Sequence, residues 1–275
     1  MPSFGLRLLQ GFEAKGQLCV GIDPSFEQLH SWGLLESAEG ARSFAMAILD
    51  AATDQVAVVK PQVAFFEQFG PEGFKVLADV MQEATHRKLL VLADAKRGDI
   101  GSTMSGYANA WLTKEATFIC DALTLSPYLG PDSLNQTVQA ALENNRGLFI
   151  LAATSNQEAS RLQNAAADGR SVAKMVYDYA SGHSEGELGS IGVVIGATVD
   201  AQKLGFDLRK PSGVPILVPG FGSQGADLSK ARSLMQAFAP ASIFSVSRSV
   251  SGSTQEGLSK RIALAKSALE AGLRA

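Results

Sequence analysis

The sequence predicts a (β/α)₈ barrel formed by one domain. Short apolar runs of strand length recur eight times in the 275 residues, and most of the segments between them carry helical patterns. Strands that alternate with helices indicate a parallel sheet joined by right-handed crossovers. Eight such units favour closure into a barrel, and the alternative is an open doubly wound sheet.

Each predicted strand is a short apolar run, rich in branched side chains, that ends at a charge, a glycine or a polar turn. In chain order these runs are Leu18–Ile22, Val56–Val59, Leu89–Ala93, Phe118–Thr124, Leu148–Ala152, Ile191–Ile195, Pro215–Val218 and Ile243–Val246. The helical patterns between them include Gly40–Ala52, Glu72–Arg87, Asp132–Asn144, Ser171–Ser181, Asp227–Phe238 and Gln255–Ala271. A turn followed by the start of a helix is predicted at Gly101–Trp111.

One connection is longer than the others. Residues 155–190 separate the fifth and sixth strands, and we predict that they form an insertion in the barrel and not a second domain. No change in composition marks a boundary elsewhere. We therefore expect residues 1–275 to form one domain.

Composition excludes several classes of protein. A net charge of −3 and the absence of a Lys/Arg-rich run argue against binding to nucleic acid or to a membrane surface. No apolar stretch has the length of a transmembrane helix. Cys19 and Cys120 are expected to be buried thiols in a cytoplasmic protein. The histidines and cysteines have no metal-site spacing, so we expect no metal.

The segment after the third strand carries an unusual density of charge. Asp94, Lys96, Arg97 and Asp99 directly follow Leu89–Ala93. Because alternate residues of an extended segment share a face, Asp94 and Lys96 should point the same way. Two such charges would be interpreted most simply as a structural ion pair. Four charges with a glycine at the mouth of a buried strand favour a functional site.

Charged residues also follow three other predicted strands. Asp23 follows the first strand, Lys60 the second, and Arg248 the eighth. In a barrel these strand ends open on one face, which is where active sites of this fold lie. Their convergence with Asp94 and Lys96 predicts an active site at this face.

A glycine-rich turn, Pro219–Gly225, follows the seventh strand and matches the pattern G-x-G-x-x-G. A dinucleotide site is the obvious alternative, but no acidic residue follows the next strand to bind a ribose. Arg248 stands there instead, and an arginine beside a glycine turn predicts a phosphate site. Ser126, after the fourth strand, is interpreted from the sequence as part of a turn that enters a helix.

These residues resemble the signature of the orotidine 5′-monophosphate decarboxylase family, from about the first strand to the eighth. The matching stretches are Asp94-Ala-Lys96-Arg-Gly-Asp99-Ile-Gly-Ser-Thr103, Lys60 in Val-Val-Lys-Pro-Gln, Asp23 in Gly-Ile-Asp-Pro, Pro219-Gly-Phe-Gly-Ser-Gln-Gly and Ser-Arg248-Ser. The long connection after the fifth strand and the Ser-Arg pair resemble the longer bacterial subgroup.

The resemblance implies a homodimeric barrel that converts orotidine 5′-monophosphate (OMP) to uridine 5′-monophosphate (UMP) and carbon dioxide without cofactor or metal. This reaction is the last step of de novo pyrimidine nucleotide synthesis. Lys96 would donate a proton to C6 of the pyrimidine, and Lys60 and Asp94 would complete the charged array. Asp99 would come from the partner chain, and Thr103 would lie near the partner's ligand.

The resemblance also implies the contacts to the substrate. Asp23 and Lys60 would contact the ribose, and Ser126 would contact the edge of the pyrimidine. Gln224, nearby backbone N–H groups and Arg248 would hold the phosphate.

Other functions remain open at this point. Metal-dependent sugar-phosphate decarboxylases and synthases of the same superfamily share an Asp-x-Lys-x-x-Asp arrangement. Ala226 and Ser247 stand where shorter members of the family often have glycine. A nucleotide-binding protein without catalysis, or a Schiff-base aldolase that uses Lys60 or Lys96, would also fit parts of the pattern.

Overall fold

A computed structural model describes residues 1–275 and confirms the barrel. The strands are β1 (Leu18–Ile22), β2 (Val58–Pro61), β3 (Leu90–Arg97), β4 (Ala122–Leu125), β5 (Gly147–Ala153), β6 (Ala166–Ala167), β7 (Arg170–Ser171), β8 (Ile191–Ile195), β9 (Ile216–Val218) and β10 (Ser242–Val246). Eight parallel strands close in the order β1-β10-β9-β8-β5-β4-β3-β2, and β6 pairs only with β7. Closure comes from β1, where Leu18 lies opposite Phe244 on one side and Cys19 opposite Val58 on the other.

Helices surround the barrel and cover its lower end, which is the end opposite the carboxyl ends of the strands. They are α1 (Phe4–Lys15), α2 (Phe26–Ser31), α3 (Ala38–Ala52), α4 (Ala64–Glu67), α5 (Gly70–His86), α6 (Gly101–Trp111), α7 (Asn135–Glu143), α8 (Ala159–Gln163), α9 (Val172–Gly182), α10 (Ala231–Met235), α11 (Arg248–Ser251) and α12 (Leu258–Arg274). Short 3₁₀ helices cover Pro131–Leu134, Leu228–Lys230 and Gln236–Ala241. None of the helices combines the length and the apolar character needed to cross a bilayer.

The inner face of the barrel changes from apolar to polar along the strands. Its lower layer is a small apolar core that includes Cys19, Val58, Leu92, Phe149 and Leu217. Helix α1 closes this end, since the ring of Phe4 packs edge-on against Phe149 with centroids 6.0 Å apart. Because side chains alternate along a strand, the inward residues two positions later lie toward the open end. They include the charged residues at the strand ends.

Most predicted boundaries shift by a few residues in the structure, and two elements depart from the prediction in a more informative way. The fourth strand starts at Ala122 and not at Phe118, because Phe118 stacks on Trp111 of α6 with ring centroids 4.5 Å apart. The predicted helix Asp227–Phe238 is broken into α10 and two 3₁₀ helices. Gln236 has a φ of +48°, a left-handed backbone conformation that interrupts an α-helix.

Residues between β5 and β8 form α8, the β6–β7 hairpin and α9. Helix α9 packs against both β5 and β8, which is the position of an outer helix in this architecture. We therefore propose that residues 155–190 extend one barrel connection within a single domain.

Candidate active site

A cavity of about 240 Å³ opens at the carboxyl ends of the strands. Six of the residues predicted from the sequence line it: Asp23, Lys60, Asp94, Lys96, Gln224 and Arg248. Its apolar lining includes Leu151, Val194 and Leu217 on the inner face of the barrel. The structure thus brings charged residues from four strand ends to one cavity above an apolar core.

Asp94 lies at the centre of the charged residues. One carboxylate oxygen accepts hydrogen bonds from Lys96 Nζ at 2.6 Å and from Thr124 Oγ1 at 3.0 Å. The other oxygen accepts from Lys60 Nζ and from Gln62 Nε2, both at 3.0 Å. Because each carboxylate oxygen accepts two hydrogen bonds, the carboxylate cannot rotate without losing some of them.

Burial differs between the two lysines. The side chain of Lys60 is 7% exposed, whereas that of Lys96 is 45% exposed and reaches into the cavity. Lys96 is also held at its backbone, because its N–H donates to Thr124 Oγ1 at 2.9 Å and its φ is +50°. Such a left-handed conformation is uncommon for a residue with a side chain and is often found at functional sites.

Electrostatics keep the buried groups ionised. Burial by itself would raise the pKa of Asp94, but the neighbouring ammonium groups of Lys60 and Lys96 outweigh burial and hold this pKa well below its ordinary value. Burial would likewise lower the pKa of Lys60, but Asp94, and then Asp23, hold it well above its ordinary value. At neutral pH the centre of the cavity therefore carries fixed charges of alternating sign.

These shifts predict how stability depends on pH. The folded-state pKa of Asp94 is depressed, so its contribution to the free energy of unfolding is complete above about pH 4 and is lost as the pH falls toward that depressed pKa. The pKa of Lys60 is raised, so its contribution is complete below about pH 10 and is lost as the pH rises through the raised value. We expect Asp94→Asn to lower the free energy of unfolding by about 3 kcal/mol at pH 7, because it leaves a buried ammonium without its main partner.

Denaturant unfolding of wild type and variant between pH 7 and pH 3 would measure this effect, and the difference should shrink at the acid end. Asp79→Asn is a matched control. It removes a carboxylate from a half-exposed pair with Arg42 and should cost less than about 1 kcal/mol. An Asp94→Asn variant as stable as wild type at pH 7 would contradict the prediction.

Asp23 and Ser247 meet on the adjacent side of the cavity. One carboxylate oxygen of Asp23 accepts a hydrogen bond from the Ser247 hydroxyl, while its other oxygen is buried without a partner in the chain. Ser247 lies directly over Gly21, where a β-carbon would collide with its hydroxyl. Glycine at this position allows β10 to bring Ser247 onto Asp23.

The glycine-rich turn lies beside Arg248. The N–H groups of Gly222, Gly225 and Ala226 are used inside the turn, whereas those of Ser223 and Gln224 have no acceptor in the chain. Gly220, Gly222 and Gly225 all have positive φ, which explains the glycines of this pattern. Arg248 is exposed and makes no ion pair or side-chain hydrogen bond. This side of the cavity therefore offers an unpaired cation and free N–H donors to an anion.

Three predicted residues do not line the cavity of this chain: Asp99, Thr103 and Ser126. Asp99 accepts a hydrogen bond from the N–H of Ile100 at 2.8 Å, and Thr103 is exposed on α6. The loops after β3 and β4 touch where Gly98 approaches the carbonyl of Ser126 so closely that a β-carbon would not fit. This contact holds Ser126 beside the loop of Asp99, outside the cavity.

Sequence reasoning assigned no role at the site to several polar residues that belong to it: Gln62, Thr124, Thr154, Ser155, Ser245 and Ser247. Thr154 and Ser155 follow β5 directly, so the strand-end argument applied to Lys60 would have found them. Thr124 carries no such signal, because a threonine inside an apolar run is equally common in a buried strand.

Two further findings concern metal and thiol chemistry. No three His, Cys, Asp or Glu side chains lie together in a group that could hold a metal ion. Both cysteines are free and buried, and burial raises the pKa of each thiol to about 12. Cys19 and Cys120 are therefore protonated and unreactive at neutral pH.

The sequence of the chain is similar to that of one family of known proteins. Residues 16–258 match the model of the orotidine 5′-phosphate decarboxylase / HUMPS family. The orotidine 5′-phosphate decarboxylase of Corynebacterium glutamicum is 42% identical over 98% of this chain and 97% of its own length. That of Streptomyces coelicolor is 47% identical over 82% and 81% of the two chains.

The chain belongs to the orotidine 5′-phosphate decarboxylase family.

Solved structures agree with this membership. A Streptomyces avermitilis protein, provisionally assigned as an orotidine 5′-phosphate decarboxylase, superposes with a TM-score of 0.93 at 40% identity, covering 100% of this chain and 97% of its own. The OMP decarboxylase of Leishmania donovani superposes with a TM-score of 0.71 at 28% identity, covering 96% and 98%. The curated relatives of this chain are orotidine 5′-phosphate decarboxylases, which are carboxy-lyases, so the chain is an enzyme of this class. Its actinobacterial relatives fit the longer bacterial subgroup.

Proposed function

We propose that this enzyme converts OMP to UMP and carbon dioxide in UMP biosynthesis, with Lys96 as the proton donor to C6. The observation that carries the proposal is the Asp94 carboxylate held between the ammonium groups of Lys60 and Lys96 at the cavity. In the reaction the bond between C6 and the carboxylate breaks, and its electron pair remains on C6. The Lys96 ammonium then donates a proton to C6 as neutral carbon dioxide leaves.

The physical difficulty of this reaction is the carbanion, because C6 has no adjacent group that can accept the electron pair. An ammonium fixed near C6 stabilises the developing negative charge and then neutralises it by proton transfer. Lys96 suits this role because it reaches into the cavity while Asp94 and Thr124 orient its side chain and backbone. Little reorganisation is then needed when charge develops on C6.

Substrate binding follows from the polar groups around the cavity. The unpartnered oxygen of Asp23 is suited to accept a hydrogen bond from a ribose hydroxyl, with Lys60 beside it. Arg248, Gln224 and the free N–H groups of the glycine turn are suited to hold the phosphate.

We assign the pyrimidine edge to Ser155 in place of Ser126. Support comes from position, since Ser155 lines the cavity and Ser126 does not. The hydroxyl of Ser155 also makes no hydrogen bond within the chain, so it is free to bind a ligand.

We further propose a homodimer in which Asp99 and Thr103 act at the partner's cavity. Neither residue lines the cavity of its own chain. Both lie close in sequence to Ile100, which is 59% exposed, and the adjoining loop carries Tyr128 and Leu129, which are 77% and 53% exposed. Large apolar side chains exposed on two touching loops are typical of an interaction surface.

Loss of OMP absorbance by the purified chain in buffer with excess EDTA tests the reaction. We expect the same rate with and without chelator, because every step above uses only protein side chains. Ribulose- and hexulose-phosphates with magnesium form the comparison arm. A chain that leaves OMP unchanged but processes a sugar phosphate only with magnesium would contradict the proposal. A covalent adduct trapped by borohydride would instead indicate Schiff-base chemistry.

A further inference from the structure

Arg261, on α12, lies outside the cavity and makes an unusual set of hydrogen bonds. Its guanidinium donates to four backbone carbonyls of one short segment: Val250 at 2.7 Å, Ser251 at 2.7 Å, Thr254 at 2.6 Å and Glu256 at 2.6 Å. It forms no ion pair with any carboxylate. Every hydrogen bond that the Arg261 guanidinium donates is therefore accepted by a backbone carbonyl of residues 250–256.

This segment directly follows the residue assigned to the phosphate. Helix α11 is a single turn that begins at Arg248, and its last carbonyls, at Val250 and Ser251, are helix-end groups that need donors from elsewhere. Arg261 supplies them. The turn itself is closed by the N–H of Gly252, which donates to the carbonyl of Arg248 at 3.0 Å. One guanidinium thus holds the turn that presents Arg248.

The fit between Arg261 and the turn is close. Gly252 has a φ of +61°, and a β-carbon there would lie 2.9 Å from Arg261 Nε. On the other side, Gln28 of α2 donates to the Gly252 carbonyl at 2.6 Å and accepts from the Ser251 hydroxyl at 2.9 Å. The turn is therefore held between two helices, whereas the Arg248 guanidinium itself has no partner to fix it.

We propose that Arg261 is a positioning residue for the phosphate site, which acts by holding the α11 turn so that Arg248 meets the phosphate of the substrate. This inference rests on the proposed function. An unpaired arginine binds a phosphate strongly only if its backbone is already in place, because ordering it on binding costs conformational entropy. A planar guanidinium can bridge four carbonyls, whereas the ammonium of a lysine has three donors at one point and cannot span them.

The test compares UMP and uridine as competitive inhibitors of wild type and Arg261→Lys. We expect Arg261→Lys to weaken inhibition by UMP about 10-fold and to change inhibition by uridine less than about 2-fold, because only UMP carries the phosphate. KM for OMP should rise together with the inhibition constant for UMP. Arg274→Lys, on the same helix and paired only with Glu270, is the matched control and should change neither.

A double-mutant cycle with Arg248→Ala separates positioning from a general structural effect. In the Arg248→Ala background, Arg261→Lys should weaken inhibition by UMP almost no further. Equal weakening of UMP and uridine, or full additivity of the two substitutions, would overturn the inference. If Arg248→Ala itself leaves the ratio of UMP to uridine affinity unchanged, then the phosphate assignment of the proposed function has failed, and the role of Arg261 fails with it.

Gly252→Ala provides a second route to the same contact if Arg261→Lys does not fold. It leaves Arg261 intact but places a methyl group against its Nε. We expect the same selective loss of UMP affinity, and an unchanged UMP-to-uridine ratio would overturn the inference.

Discussion

Lys96→Ala is expected to lower kcat for OMP by at least about 10⁴-fold while UMP still binds. The substitution removes the proposed proton donor and the ammonium nearest the developing carbanion, and general acid catalysis and electrostatic stabilisation are then lost together. Asp94 keeps its hydrogen bonds from Lys60, Gln62 and Thr124, so the fold should persist. Stopped assays of OMP loss and calorimetric titration with UMP measure the two quantities.

The matched control is Lys75→Ala, which removes an exposed lysine on α5 and should leave kcat unchanged. A Lys96→Ala enzyme with near-native kcat would remove Lys96 from the mechanism. A variant that lost UMP binding together with activity would instead assign Lys96 to substrate binding.

Mixing two inactive variants is expected to restore about one quarter of the wild-type rate. Lys96→Ala and Asp99→Ala chains, each inactive alone, should form heterodimers in which one cavity combines the native Lys96 of one chain with the native Asp99 of the other. Random exchange of equal amounts makes half of the dimers heterodimeric, and one of their two sites is native. The physical reason is that Asp99 and Thr103 do not line the cavity of their own chain.

The assay needs proof that the subunits exchange, which differently tagged chains provide. The control mixes Lys96→Ala with Asp94→Ala, whose substituted residues belong to the same cavity. In that mixture every heterodimer site lacks one of the two residues, so no activity should return. Recovery in the control, or none in the main mixture despite exchange, would contradict the shared site.

The fold class followed from the sequence because its signal is local. A buried strand of a parallel barrel is a short apolar run, and each run can be recognised without knowledge of its neighbours. Errors arose where the local pattern did not show what an apolar side chain packs against or where the backbone leaves the helical conformation. Phe118 extended a predicted strand although its ring packs on Trp111, and Asp227–Phe238 has helical periodicity although the backbone at Gln236 breaks it.

The charged part of the site was also determined by the sequence alone. Asp23, Lys60, Asp94 and Lys96 each follow a predicted strand, and the ends of parallel strands in a closed barrel meet on one face. Only the tertiary structure decided which neutral groups join them. Thr124 bonds to Asp94 across 30 positions and Ser247 to Asp23 across 224, because strand order and register set these contacts. The alternation of side chains along a strand determines which face of the sheet each side chain occupies. The pairing of strands that are distant in the sequence determines which other side chains it contacts.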